Sequence, residues 1–265
     1  MQIRQLQDRQ EIEAFLRQDV YLHLYSLGDL DDFFFPHTRW LGGYDQGELR
    51  ALALVYEAFQ PPILLGLAAQ KGEPFLRSLL ITLIPELPDQ VYAHLSPGLA
   101  PLFENRFRLQ NHGRHLKLAL TSPGRLSAIE PVGVRQLEIN DAAELTRLYD
   151  EHYPEHSFDP ALLETGFFYG IRRSGKLVCV AGVHVISRAY RVAAIGNVIT
   201  HPAYRGQGLA KQATALLCRQ LLGVVEAVGL NVKASNTPAL RLYEQLGFSP
   251  HAAYDEFTLT AQSQP

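Results

Sequence analysis

The stretch "THPAYRGQGLAK", Thr200 to Lys211, carries the reading of the fold. It follows "YRVAAIGNVIT", an apolar, β-branched run that reads as a strand. After it, Leu209, Ala213, Leu216, Leu217 and Leu221 recur at helical spacing. The passage from strand to helix therefore runs through Gly206 and Gly208, with none of the Ser, Thr, Asp or Asn residues that usually cap a helix start. Glycine has no β-carbon, so a ligand can come close to the backbone there. The first turn of the helix adds unpaired N–H groups and the positive end of the dipole. Together they suit a pyrophosphate, and Arg205 can add a charge-assisted contact. The same residues also serve a plain glycine-rich turn. A P-loop is excluded, because Leu209 stands where Lys-Ser or Lys-Thr is required. A dinucleotide fingerprint is excluded too, because Lys211 occupies the place of its third small residue.

Working outward, the second half of the chain alternates its signals. "GVRQLEI" reads as a strand, and "DAAELTRLYDEHY" as a helix that Asn140 or Asp141 can cap. "FFYGIRRSG" and "KLVCVAGVHVIS" read as two strands joined at Ser174–Gly175. Beyond the glycine loop and its helix come the strand "VGLNVKAS" and a helix with Ala239, Leu242, Tyr243 and Leu246 on one face. Gly247 supplies the stop, and "AYDEFTLT" reads as a last strand. The pattern predicts an α/β domain, an α+β arrangement on a mixed sheet.

The first half echoes this order. "IRQL" at Ile3–Leu6 matches "VRQL" at Val134–Leu137, and "PLFENRF" at Pro101–Phe107 resembles "RLYEQLGF" at Arg241–Phe248. Between the halves, "SPGRLSAIEP" lacks periodicity and is rich in turn formers. The expectation is a duplicated domain: residues 1–121, a linker at 122–131, and a second domain at 132–265.

Composition narrows the classes. The 265 residues are 47% hydrophobic and carry a net charge of −3, which gives no electrostatic case for a nucleic-acid partner. The start "MQIRQLQDRQ" is not a secretory signal, and "PPILLGLAA" is too short to cross a bilayer. Cys179 and Cys218 fall in apolar segments and read as buried free thiols. No His/Cys cluster has zinc spacing, so no metal is expected. The expectation is a soluble cytoplasmic protein without a membrane partner.

"RGQGLA" fits the pattern Arg/Gln-x-x-Gly-x-Gly/Ala, and "NVKASNTPALRLYEQLGF" supplies an Asn followed by a helix carrying Leu-Tyr and ending in Gly-Phe. In this order and spacing the two resemble the GNAT-type N-acetyltransferases, over roughly Gly133 to Leu259. "IGNVITHPAYRGQGLA" looks most like the subgroup related to glycine N-acyltransferases. The resemblance implies tandem GNAT-like domains and acetyl-CoA as co-substrate. It implies that the backbone of Val198, Ile199 and Thr200 lines the pantetheine arm. The N–H groups of Arg205, Gly206, Gln207, Gly208, Leu209 and Ala210 would hold the pyrophosphate, and Asn236 would touch the coenzyme from the far side. Tyr243, which on its own reads as a core tyrosine of an apolar helix face, becomes the acid that protonates the departing thiolate.

Amine attack on a thioester needs an oxyanion donor, a deprotonated amine and a proton for the leaving group. A strand N–H near Val198 suits the first role. Many relatives carry a glutamate base on the strand before the coenzyme loop or on the next one. Here neither strand carries a carboxylate, and Asn231 stands where some relatives have the acid. His201, His184, His152, His156, Glu151 and ordered water are the remaining candidates. "YDEHYPEHSFDP", Tyr149 to Pro160, matches the segment that closes over the acceptor in relatives, which makes Glu151 and His156 candidate substrate residues. In the first half, Gly72 aligned with Gly206 puts Pro74 at Gly208 and Leu76 at Ala210, while Phe103 replaces Tyr243. Proline has no N–H to offer. The N-terminal copy therefore reads as degenerate, and the chain as an acyl-CoA-dependent N-acyltransferase acting on a small-molecule or peptide amine. A non-catalytic acyl-CoA sensor or scaffold is the alternative.

Overall fold

The computed structural model describes residues 1–154, 156 and 158–262. Two compact units divide it: Met1–Lys117 with Val232–Ser235 and Pro250–Pro265, and Leu118–Asn231 with Asn236–Ser249. This differs from a boundary at 122–131, because the last strand of the chain packs in the first unit. A strand pattern shows which face is buried but not which neighbour supplies the hydrogen bonds, so the exchange was invisible in the sequence.

The first unit opens with β1 (Gln2–Leu6), the helices α1 (Arg9–Leu16) and α2 (Leu24–Gly28), and the strands β2 (Thr38–Asp45), β3 (Glu48–Tyr56) and β4 (Ile63–Gly66). Then come α3 (Glu73–Leu83), β5 (Gln90–Leu95), a 3₁₀ turn at Ala100–Phe103 and β6 (Phe107–Leu120). Successive pairs from β1 to β4 are antiparallel, and β4 pairs with β5 in parallel. The chain's last strand, β12 (Phe248–Ala261), pairs antiparallel with β5 from Asp255↔Leu95 to Thr260↔Gln90. Strand alternation sorts the residues into two faces. Val91, Ala93, Leu95, Phe257 and Leu259 join Leu76, Leu79, Leu80 and Leu83 of α3 in a hydrophobic core. Tyr92, His94 and Glu256 take the opposite face, where both tyrosines Tyr92 and Tyr254 donate hydrogen bonds to Glu256.

The second unit repeats the order. It comprises β7 (Val134–Gln136), α4 (Ala142–His152), β8 (Tyr169–Arg173), β9 (Lys176–Ser187) and β10 (Val192–Thr200), followed by α5 (Leu209–Leu222), β11 (Ala227–Lys233) and α6 (Thr237–Leu246). Again three antiparallel pairings, β7–β8, β8–β9 and β9–β10, lead to one parallel pairing, β10–β11. The hairpin turn forms at Ser174 and Gly175, both at positive φ. Asp141 precedes α4 as expected, yet its side chain accepts from the Glu138 N–H and closes a capping box one turn earlier. Cys179 and Cys218 are buried free thiols, as their apolar settings imply.

The segment at 122–131 is no loose linker. It forms a 3₁₀ helix (Pro123–Ala128) with Leu126 buried, and Arg219 of α5 donates to the carbonyls of Leu126 and Ile129. Gly247, at φ 97°, closes α6 against it: a Cβ there would lie 2.2 Å from the Ser122 carbonyl oxygen. Among the described residues no helix is long and apolar enough to cross a membrane.

Candidate active site

The site grows from an interruption in β10. Its parallel pairing with β11 covers Val192↔Ala227 to Ala194↔Gly229 and goes no further, although β10 runs on to Thr200. On the other edge, the register with β9 slips between Gly196↔Gly182 and Ile199↔Val180. Asn197 and Val198 are thus bulged out of the ladder, and a bulge re-aims backbone groups. Asn197 sits at φ 52°, a conformation that needs support in a non-glycine residue. That support comes from both ends of the residue. Its buried side chain donates to the Val183 carbonyl at 3.1 Å, and its own carbonyl accepts from the Tyr149 hydroxyl of α4 at 2.5 Å. Val198 follows directly, half-buried, as do Gly196 and Thr200 on either side.

Past Thr200 the chain makes a 3₁₀ turn, Pro202–Tyr204, capped by His201, whose Nδ1 accepts from the Ala203 N–H. Arg205 is exposed, and its Nε donates to the Thr200 carbonyl, which ties the loop to the end of β10. Gly206 and Gly208 adopt φ 76° and 73°, and a Cβ at either would meet open space. The two glycines are thus required for backbone shape and leave the loop clear for a ligand. Gly208 caps α5 without any side-chain hydrogen bond, and the first turn of that helix carries no acid. Its N–H groups keep their positive field for something outside the protein. Of the run expected to offer bare N–H groups, Arg205 to Ala210, the Arg205 N–H already donates to the Pro202 carbonyl at 3.3 Å.

The remaining expected residues are placed as follows. Asn236 is the N-cap of α6, its Oδ1 accepting from the Ala239 N–H at 3.2 Å. Tyr243 of α6 is buried with its ring edge-on to Phe248. Burial, with smaller contributions from Cys218 and Tyr153, pushes its phenol well above the usual tyrosine range. The phenol therefore stays protonated at any working pH.

After α4, His156 makes three contacts. Its Nδ1 accepts from the Phe158 N–H, its Nε2 pairs with Asp150 at 2.9 Å, and its ring lies 5.1 Å from that of Tyr149. Both ring nitrogens are occupied, so His156 is built to hold the segment rather than to take a proton. Glu151 is exposed and lies 3.8 Å from Nε2 of His152, a buried ring nitrogen without a hydrogen-bond partner. The His152 ring packs edge-on against His201 at 4.4 Å. Glu155 of this segment lies outside the described residues. His184 of β9, one of the histidines raised by the sequence, stands beside Gly196. No group of His, Cys, Asp and Glu among the described residues is arranged to hold a metal.

Residues 135–248 match the model of the acetyltransferase (GNAT) family. No curated protein sequence matches the chain. Among solved structures, a Drosophila protein aligns with 97% of this chain and 98% of its own at TM-score 0.71 and 14% identity. A tandem GNAT protein from the clavulanic acid biosynthesis pathway covers 100% of this chain and 99% of its own, at TM-score 0.57 and 15% identity. A protein from Novosphingobium aromaticivorans, assigned to the GNAT acetyltransferases, covers 70% and 82% at TM-score 0.55 and 24% identity. At such identities these likenesses establish the fold alone, mixed α/β on a mixed sheet, while the GNAT match rests on the family model over residues 135–248. Together with the family match they support the GNAT family, whose members transfer acyl groups from acyl-CoA to amines.

Proposed function

We propose that the second unit binds acetyl-CoA and transfers its acetyl group to a primary amine by direct attack in a ternary complex. The observation that carries this reading is the interrupted β10–β11 pairing, which leads through a bulge into an open glycine loop and an uncapped helix. A pantetheine arm can take the strand hydrogen bonds that β11 leaves unused along Val198, Ile199 and Thr200. The pyrophosphate would meet the N–H groups from Gly206 to Ala210, the Arg205 N–H being engaged by the Pro202 carbonyl. With its carbonyl side used as a cap, Asn236 keeps its amide N–H₂ for the coenzyme.

The chemistry follows from these placements. The thioester oxygen is assigned to the Val198 N–H, where preorganised donors act on developing negative charge. Tyr243 is assigned as the acid that gives its proton to the thiolate as the C–S bond breaks. Glu151, exposed beside the latched segment, would attract a cationic acceptor, while His156 fixes the segment's course. The first unit is read as a copy that has lost the coenzyme. Polyamines, amino acids, antibiotic amines and protein amines make up the acceptor panel.

A second reading, an acyl-CoA sensor without chemistry, is favoured by one feature: neither β10 nor β11 carries a carboxylate. Release of free thiol from acetyl-CoA separates the two. Acceptor-dependent thiol with any member of the amine panel supports transfer. Acetyl-CoA binding by calorimetry with no thiol from any acceptor would leave the sensor standing.

A further inference from the structure

The site described so far has an oxyanion donor and an acid but no group for the amine's proton. A search of the second unit for that group turns on Gly196. An ideal Cβ built there would lie 1.6 Å from Cδ2 and 2.0 Å from Nε2 of His184. The imidazole thus occupies the space that a side chain on β10 would fill. Two features of the backbone put it there. Gly196 leaves the volume empty, and β9 is itself bulged at His184, since Ala194 pairs with Val185 while Ile195 already pairs with Val183. A bulge turns its extra residue out of the regular ladder. The slip that frees Val198 lies in the same pair of strands, only two residues beyond Gly196. At a strand rise of about 3.3 Å per residue, Gly196 and Val198 are roughly 7 Å apart along β10.

Direction matters as much as distance. If the coenzyme enters from the loop at Arg205 and ends with its acyl carbon at Val198, the acceptor must arrive from beyond Val198. Gly196 and His184 lie on that side. His201 lies on the other, towards the coenzyme loop, and its ring touches His152. Glu144, the acid of α4, is committed to Arg172 and to the Leu177 N–H.

We infer that the imidazole of His184, seated over Gly196, takes the proton from the attacking amine. This rests on the acyl-transfer reading above. The amine nitrogen forms a bond to the thioester carbon while the carbonyl π pair moves to oxygen. His184 accepts the proton that the nitrogen sheds. The oxyanion collapses, the C–S bond breaks, and the thiolate takes the proton of Tyr243. The imidazolium proton then returns to the tyrosinate through solvent, so the net change is one amide and one free thiol. Burial holds the ring neutral down to a pH of about 4. A ring so reluctant to charge accepts its proton best in step with the oxyanion, whose negative charge compensates it.

The test uses the whole chain with acetyl-CoA and the best amine of the panel. His184→Ala is expected to lower kcat by roughly 100- to 10,000-fold while acetyl-CoA affinity changes by no more than about two-fold. Added imidazole is expected to restore at least about ten-fold of the lost rate, which a packing role does not explain. Gly196→Ala, whose methyl displaces the ring, is expected to lower kcat with the same retained affinity. Turnover of His184→Ala within about three-fold of wild type overturns the inference. So does a loss without imidazole rescue, or a rescued loss in His152→Ala with His184→Ala unaffected. If wild type binds acetyl-CoA but acetylates no amine, the acyl-transfer reading falls first and takes this assignment with it.

Discussion

The two units share an order of elements and differ at one seam. In the first, β4 is four residues long and pairs with β5 along its whole length, from Ile63↔Tyr92 to Gly66↔Leu95. The zip even continues: the Ser96 N–H donates to the Gly66 carbonyl, and the Ser96 hydroxyl accepts from the Ala68 N–H. In the second, the pairing stops at Ala194↔Gly229 and β10 goes on alone. A closed seam has no free strand N–H or C=O for a ligand arm; an open one does. Duplication thus preserved the scaffold in both units, while the means to take up an extended ligand persist in only one.

The helix that follows each seam tells the same story. Gly208 caps α5 at φ 73°, whereas Gly72 caps α3 at φ −88°, in the ordinary helical region. By position in the fold, Gly72 therefore corresponds to Gly208 and not to Gly206, which corrects the sequence alignment. Pro74 then stands at the second position of α3, where it withdraws an N–H, and Glu73 places an acid in a turn that an anion would need.

The largest expected effect comes from forcing the open loop shut. Acetyl-CoA is expected to bind at one site per chain, and Gly208→Trp to abolish binding, with the far-ultraviolet circular dichroism unchanged. Indole bulk would stand where the pyrophosphate must approach the backbone. The matching change in the first unit, Gly72→Trp, is expected to leave affinity untouched. Two equivalent sites by calorimetry, or undiminished binding by Gly208→Trp, would erase the distinction between the seams.

How much of this was legible beforehand follows from the residues. The glycine loop, its helix and the place of Tyr243 on an apolar helix face were readable because short-range chemistry fixes them: missing caps and helical spacing. The β10 interruption was not, since Val198 and Ile199 look like any strand, and only a partner's register reveals that pairing ends. The exchange of β12 was hidden for the same reason. His184 was visible as one histidine among several, but the vacancy at Gly196 that singles it out depends on two bulges in facing strands. His156 was legible as a candidate base or substrate residue, but its hydrogen bonds to Asp150 and the Phe158 N–H were not, because no local spacing rule announces them.

A smaller effect is expected where the two copies differ in one hydroxyl. Phe103 and Tyr243 follow corresponding strands, and both are buried. Tyr243→Phe is expected to lower kcat roughly 10- to 1,000-fold with little change in acetyl-CoA affinity, because the proton is needed only as the thiolate leaves. Phe103→Tyr is expected to leave kcat alone and cost about 1–3 kcal/mol of stability by burying an unpaired hydroxyl. Steady-state kinetics and urea unfolding read the two outcomes. An unchanged kcat in Tyr243→Phe, with chemistry shown to limit turnover, would make Tyr243 as structural as Phe103.

The smallest effect on turnover, none at all, is expected from the charge that the first unit keeps inside. Lys117 is buried with its ammonium 5.3 Å from the Tyr25 ring centre and 5.2 Å from that of Tyr254. Burial pulls it down to about 8 from the usual lysine range, against the raising influence of Glu256, Asp19 and Asp29. The sign follows from proton counting. Below pH 8 the lysine is charged in both folded and unfolded chains, and folding carries the full penalty of burying that charge. Between about 8 and 10.5 the unfolded chain still holds the proton while the folded one has released it, so this penalty fades as pH rises. Lys117→Met removes the charge without removing the apolar stem. Its stability difference from wild type is therefore expected to shift in favour of wild type as pH rises from 8 to 10. Other groups titrate in that window, notably Cys179, which burial moves up to about 11, but they are common to both proteins and cancel in the difference. Urea unfolding at four pH values measures the trend. A pH-independent difference would mean that the lysine is as well solvated in the fold as out of it.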